Sequence, residues 1–160
     1  MRPILFLDMD GVIAHLDSYK NQERWDDPLF WECLPKLPWA DDLVKACIAG
    51  YQTYILTTPC GDASIVGKIA WIKRWYPNLQ TRMIFTAHKH LLATHLRVLV
   101  DDDPSNCTRF KQMGGIALEV PNPIRWPNTP QFTPARLASL GEELAHTLRQ
   151  LAGFLVARGG

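Results

Sequence analysis

Short apolar runs rich in Val, Ile, Leu and Phe recur along the chain at 4–8, 52–57, 82–86, 97–101 and 115–120. Each is the length of a strand and apolar enough to be buried on both faces. Between them, segments of helical period fill 40–49, 62–76 and 104–113, stopped by Gly50, Pro77 and Gly114. Strands alternating with helices predict an α/β fold, a parallel sheet covered by helices in a three-layer sandwich. A further short helix is expected between the third and fourth strands. Near the C-terminus, Thr133 offers an N-cap and Pro134 a first helical position, followed by Leu137, Leu140, Leu144, Leu148, Leu151 and Leu155. Spacings of three and four predict one long amphipathic helix over 133–158, its stripe packed on the chain's own sheet or on a second copy.

One stretch breaks this rhythm. Over 15–39 there is little helical or strand period, three prolines, and five of the chain's sixteen aromatics: Tyr19, Trp25, Phe30, Trp31 and Trp39. It reads as an insertion after the first strand, either a small cap over a functional site or an irregular flap over core.

Composition narrows the class. A chain of 160 residues, 47% hydrophobic and 21% charged, fits one globular domain over 1–160 and excludes disordered and fibrous classes. Seventeen basic residues against sixteen acidic ones leave no field that draws the whole molecule to nucleic acid or an anionic membrane. The apolar run near the start ends at Asp8, too short for a signal-peptide core or a membrane span. Cys33, Cys47, Cys60 and Cys107 lack the pair spacing of a zinc site or a secreted disulfide framework. A cytoplasmic protein with free thiols is expected.

In an open parallel sheet, ligands collect at the carboxyl ends of the strands. The first strand ends in Asp8-Met9-Asp10-Gly11-Val12, the second in Thr57-Thr58-Pro59 and the fourth in Asp101-Asp102-Asp103, while the third leads to His88-Lys89-His90. Each residue type has a task in phosphoryl transfer. A carboxylate can attack phosphorus, a hydroxyl and an ammonium can neutralise phosphoryl oxygens, and clustered carboxylates call for a hard cation such as Mg²⁺. Singly, the aspartate run would be a solvated turn and Lys89 a surface lysine; together at four strand ends they point to one site. An EF-hand is excluded, because the twelfth position from Asp8 is Tyr19 where a bidentate Glu is needed.

Asp8-Met9-Asp10-Gly11-Val12, Thr57, Lys89 and Asp101-Asp102 together resemble the four signature motifs of the haloacid dehalogenase (HAD) superfamily of phosphohydrolases. The resemblance covers about residues 1–128. Within that superfamily the chain looks most like the 5'(3')-deoxyribonucleotidase group, through the first motif, Ile55-Leu56-Thr57-Thr58-Pro59, Trp71, Asn106 and Gly114-Gly115. It implies a HAD-like Rossmannoid fold and a Mg²⁺-dependent phosphomonoesterase working through an aspartyl-phosphate. Asp8 would be the nucleophile and Asp10 the general acid and base. Asp8, the Asp10 carbonyl, Asp101 and Asp102 would hold Mg²⁺, and Thr57 and Lys89 the phosphoryl group.

The implied substrate is a small phosphate ester, a nucleoside monophosphate, met by a monomer or homodimer. The short insertion leaves an open mouth, so a polynucleotide 3'-phosphate end is the alternative substrate, and a non-catalytic HAD-fold binding protein is the alternative of another class. For substrate contacts the candidates are Thr58, Trp25, Trp31 and Arg125. The two tryptophans either line the mouth, where an aromatic face can stack on a base, or plug the core. Arg125, in the loop after the last strand, either reaches a phosphate or lies on the surface. His88, His90 and His95 lack the partners of a metal cluster and are expected to be solvated or to face the phosphate.

Overall fold

The computed structural model describes residues 2–16, 22–122 and 134–158, with side chains from 139 onward in the last segment. Its strands are β1 (Ile4–Leu7), β2 (Gln52–Thr57), β3 (Met83–Phe85), β4 (Arg97–Asp101) and β5 (Ile116–Glu119). They form one parallel sheet in the order β3-β2-β1-β4-β5. The fold is therefore the α/β class that the alternation of runs predicts. Its chain reverses direction across the sheet beside β1 and β4, the crevice where doubly wound sheets take their ligands.

The period-2 burial of strands divides the apolar residues between two faces. Leu5, Leu7, Ile55, Val98 and Val100 point to the larger core, under helices α2 (Ala40–Gly50), α3 (Asp62–Trp75) and α5 (Pro134–Arg158). Phe6, Leu56 and Leu99 point to the smaller one, closed by Phe110 of α4 (Pro104–Gln112). The expected helix between β3 and β4 is one turn of 3₁₀ helix, Lys89–Leu92. Four residues cannot support more.

Helix α5 spends its stripe inside the chain. Leu140, Leu144, Leu148 and Leu155 are buried, α5 packs on α2, and the Tyr51 hydroxyl donates to the Leu148 carbonyl at 2.8 Å. Thr133, its expected N-cap, lies outside the described residues. No described helix is long and apolar enough to cross a membrane.

The described part of the 15–39 segment, 15–16 and 22–39, is more regular than its sequence pattern predicts, and Tyr19 lies outside the described residues. It carries a 3₁₀ turn at Gln22–Arg24 and a short helix, α1 (Pro28–Glu32), whose N-cap Asp27 accepts from the Leu29 amide while Pro28 fills the first helical position. Its return path is tied to the loop after β1, with His15 donating to Pro35, Leu37 to Ile13, and the Trp39 indole to the Val12 carbonyl. At the far end Lys36 pairs with Asp41 at 2.6 Å and lies 4.6 Å over the Trp75 ring.

Helix α1 packs directly on α3 because Gly67 lets the two backbones meet. A Cβ there would strike the Pro28 carbonyl and the Trp31 side chain. Gly67→Ala should therefore destabilise the protein by about 1–3 kcal/mol, the usual cost of overpacking. Against this, alanine has the better helix propensity, by about 1 kcal/mol. Urea unfolding decides between the two, and an unchanged or higher midpoint would mean that α1 shifts freely on α3.

Candidate active site

The site is built on the turn that leaves β1. Asp8 ends the strand with its amide still bonded to Val100 of β4, and the Met9 carbonyl then accepts from Val12, Ile13 and Ala14 in a tight reversal. Gly11 makes that turn possible. Its φ of 76° lies in the left-handed region, and a Cβ there would collide with the Asp102 carboxylate and the Asn122 amide. The turn thus brings the β1 aspartates against the end of β4.

Parallel register brings the remaining groups to the same edge. Thr57 closes β2 and Asp101 closes β4, on either side of β1. Lys89, on the 3₁₀ turn, reaches between two strand ends: its ammonium lies 2.8 Å from Asp8 Oδ1 and 2.7 Å from Asp101 Oδ2. Asp8 Oδ1 also accepts from the Met9 amide at 2.8 Å. Asp101 is held by the Asp103 amide at 2.9 Å and by Asn106, and Asp102 by the Asn122 side chain. Asp103 caps α4 by accepting from Ser105, and so stands apart from the cluster.

Electrostatics set this corner apart from an ordinary ion pair. Asp8, Asp101 and Asp102 are buried, and one oxygen from each lies within 4.8 Å of the others. Burial first, and then the charges of Asp101, Asp10 and Asp102, push the Asp8 carboxyl well above its ordinary value of 3.8, although Lys89 pulls it down. Lys89 is pushed up: burial disfavours its charge, but Asp8 and Asp101 more than offset that. Three buried carboxylates offering hard oxygen donors at one point fit a divalent cation of the Mg²⁺ type.

Asp10 has a partner that sequence reasoning missed. Lys68, on α3, is fully buried and donates to Asp10 Oδ2 at 2.6 Å, to the Thr58 carbonyl at 2.7 Å and to Thr57 Oγ1 at 3.0 Å. Thr57 in turn points its hydroxyl at Asp10 Oδ2, 3.5 Å away. The other oxygen, Asp10 Oδ1, is buried without a hydrogen-bond partner. Lys68 had a visible signal: it falls on the buried stripe Ser64, Gly67, Lys68, Trp71, Ile72, where a cation is out of place.

A search against protein-family models and one against curated proteins both return no match to this sequence. Among solved structures, a HAD family enzyme from Bacteroides thetaiotaomicron is similar, with a TM-score of 0.54 and 11% identity over 76% of this chain and 95% of that one. The chain has a HAD-type fold. That enzyme is an aspartate-to-alanine mutant crystallised in complex with magnesium and inorganic phosphate.

The substrate-side residues are placed less uniformly. The Thr58 hydroxyl turns to the Thr86 carbonyl at 3.4 Å, and its own carbonyl goes to Lys68. Trp31 is fully buried, its indole N–H donating to the Trp25 carbonyl and its ring 4.9 Å from the Lys68 ammonium. A ring without exposed surface has no open face for a base, so Trp31 sits as a core plug. Trp25 is half-buried against it, with ring centroids 5.8 Å apart. His88 is exposed and His90 half-buried beside Lys89, their rings edge to face at 6.1 Å. Arg125 lies outside the described residues.

Proposed function

We propose that the chain is a Mg²⁺-dependent phosphomonoesterase that works through an aspartyl-phosphate. The observation that carries this reading is the convergence of buried Asp8, Asp101 and Asp102 on one point, with Lys89 bridging two of them. Asp8, the Asp10 carbonyl, Asp101 and Asp102 would hold the cation. When bound, it supplies the positive charge that favours ionised Asp8 and neutralises the phosphoryl oxygens.

Asp8 presents Oδ2 as nucleophile, since Oδ1 is taken by Met9 and Lys89. The new Oδ2–P bond forms as the ester P–O bond breaks, and Asp10 gives its proton to the departing oxygen. Asp10 then takes a proton from water as that water attacks phosphorus, which releases phosphate and restores Asp8. Thr57 and Lys89 offer a hydroxyl and an ammonium to the transferring group.

The preferred substrate class is a small phosphate ester, with deoxyribonucleoside monophosphates first on the strength of the motif resemblance. A cytoplasmic setting goes with four cysteines that are all free thiols. A phosphate-release screen with Mg²⁺ or chelator tests the reading, over deoxy- and ribonucleoside monophosphates, sugar phosphates and 3'-phosphorylated oligonucleotides. Mg²⁺-dependent release from the monophosphates is the expected result. Release confined to oligonucleotide ends moves the substrate class, and no release from any ester sinks the enzyme reading.

A further inference from the structure

The most unusual group outside the four motifs is Lys68, a lysine with no solvent exposure on a helix that otherwise lies over the sheet. Burying an ammonium is costly unless every proton is bonded and a counter-charge is near. Here all three protons have acceptors: Asp10 Oδ2, Thr57 Oγ1 and the Thr58 carbonyl. Two of these acceptors belong to the end of β2 and one to the turn after β1, so the ammonium locks together two loops that must stay in register.

The lock is asymmetric. It engages Oδ2 of Asp10 and leaves Oδ1 without a partner. A carboxylate bonded through one oxygen to a buried ammonium is held in one orientation, because rotating it would strand the lysine's charge. The inserted segment packs beside the ammonium. Gly67 admits α1 to van der Waals contact with α3, and that contact lays the Trp31 ring 4.9 Å from Lys68 Nζ, a cation–π approach.

We propose that Lys68 is a positioning residue for Asp10, fixing its carboxyl against the end of β2 so that it is held in place to serve the proton, with Trp31 of the inserted segment packed beside the ammonium. This rests on the phosphatase reading, in which Asp10 serves the leaving group. It assigns α1, within the insertion, the work of a buttress for the proton-transfer group.

The test compares two esters of different leaving-group demand in Mg²⁺: a nitrophenyl phosphate, whose leaving oxygen needs little protonation, and a nucleoside 5'-monophosphate, whose alkoxide needs it fully. Lys68→Met should lose about 10²-fold in kcat on the nucleotide, the scale of a misplaced acid, and less than about tenfold on the nitrophenyl ester. KM should move by a similar factor for both esters, because any loosening of Thr57, which Lys68 also holds, weakens the same phosphoryl contact in each. Lys68→Gln, which keeps two N–H donors but no charge, should show the same split in smaller measure.

Asp10→Asn on the same esters separates the two layers of the argument. Wild-type turnover that Asp10→Asn cripples, but whose ester preference both folded Lys68 variants leave unchanged, overturns the role of Lys68 alone. Absence of wild-type turnover on either ester overturns the phosphatase reading and the proposal with it. Failure of both Lys68 variants to fold, judged by circular dichroism, would make the ammonium a purely structural strut and overturn the proposal as well.

Discussion

Asp8→Asn should end phosphate release and, in the absence of Mg²⁺, raise the melting temperature. The amide is nearly isosteric with the carboxylate but is no nucleophile, so turnover should fall at least about 10³-fold, some 4 kcal/mol of lost transition-state stabilisation. Stability moves the other way. In the folded chain burial and three neighbouring carboxylates outweigh Lys89 and hold the Asp8 proton well above 3.8. The ionised group is thus a net burden on the metal-free fold, and a neutral isostere relieves it. In a chain of this length each kcal/mol gained moves Tm by about 2–4 °C. Saturating Mg²⁺ should narrow or reverse the gap, because wild type gains a ligand that its variant binds less well. Activity within about tenfold of wild type would remove Asp8 from the nucleophile's place. A lower Tm in chelator would show that the Lys89 pairing outweighs burial.

The same shift fixes a pH dependence of the metal-free protein. The folded chain keeps the Asp8 proton to higher pH than the unfolded chain does, so it binds more protons between 3.8 and the raised value. Through this group, stability falls as pH rises across that window. Denaturant midpoints in chelator should therefore decline less steeply with rising pH for Asp8→Asn than for wild type.

What could be seen in the sequence follows from where burial is strongest. A central parallel strand is covered on both faces, so β1, β2 and β4 each carry an apolar run, and its end announces itself when Asp8, Thr57 or Asp101 interrupts it. Edge strands β3 and β5 are less buried and are each two residues shorter than their runs. Helix α1 was missed although Asp27-Pro28 repeats the cap of Asp103-Pro104, because a helix of five residues has too few turns to show a period. Lys68 was hidden by its type. In Asp62–Trp75, Lys68 stands among Lys73 and Arg74 as one more cation, and only the position of Gly67 and Trp71 on the same stripe marks it as inward-facing. The fate of Trp31 turned on Gly67 as well: whether an aromatic in the insertion lines a mouth or plugs a core depends on how closely α1 approaches α3, and Gly67 decides that distance.

Lys89→Met should lower turnover by several orders of magnitude and also cost about 3 to 5 kcal/mol of stability, since it leaves Asp8 and Asp101 buried and uncompensated. Two different losses are folded into that variant, and a second substitution separates them. Adding Asp8→Asn to Lys89→Met removes one of the two stranded charges, so the double variant should melt above Lys89→Met while remaining inactive. The stability effects of such contacting residues do not add. Lys89→Arg provides the geometric control. Its charge is intact, but a planar fork cannot occupy a closed site shaped for a compact ammonium 2.8 Å from one carboxylate and 2.7 Å from another. Turnover should stay depressed despite a stability nearer the parent's. If Lys89→Arg instead kept parental turnover, the ammonium would be acting as a bare counter-charge, and the place given to it beside the transferring phosphoryl group would have to be withdrawn.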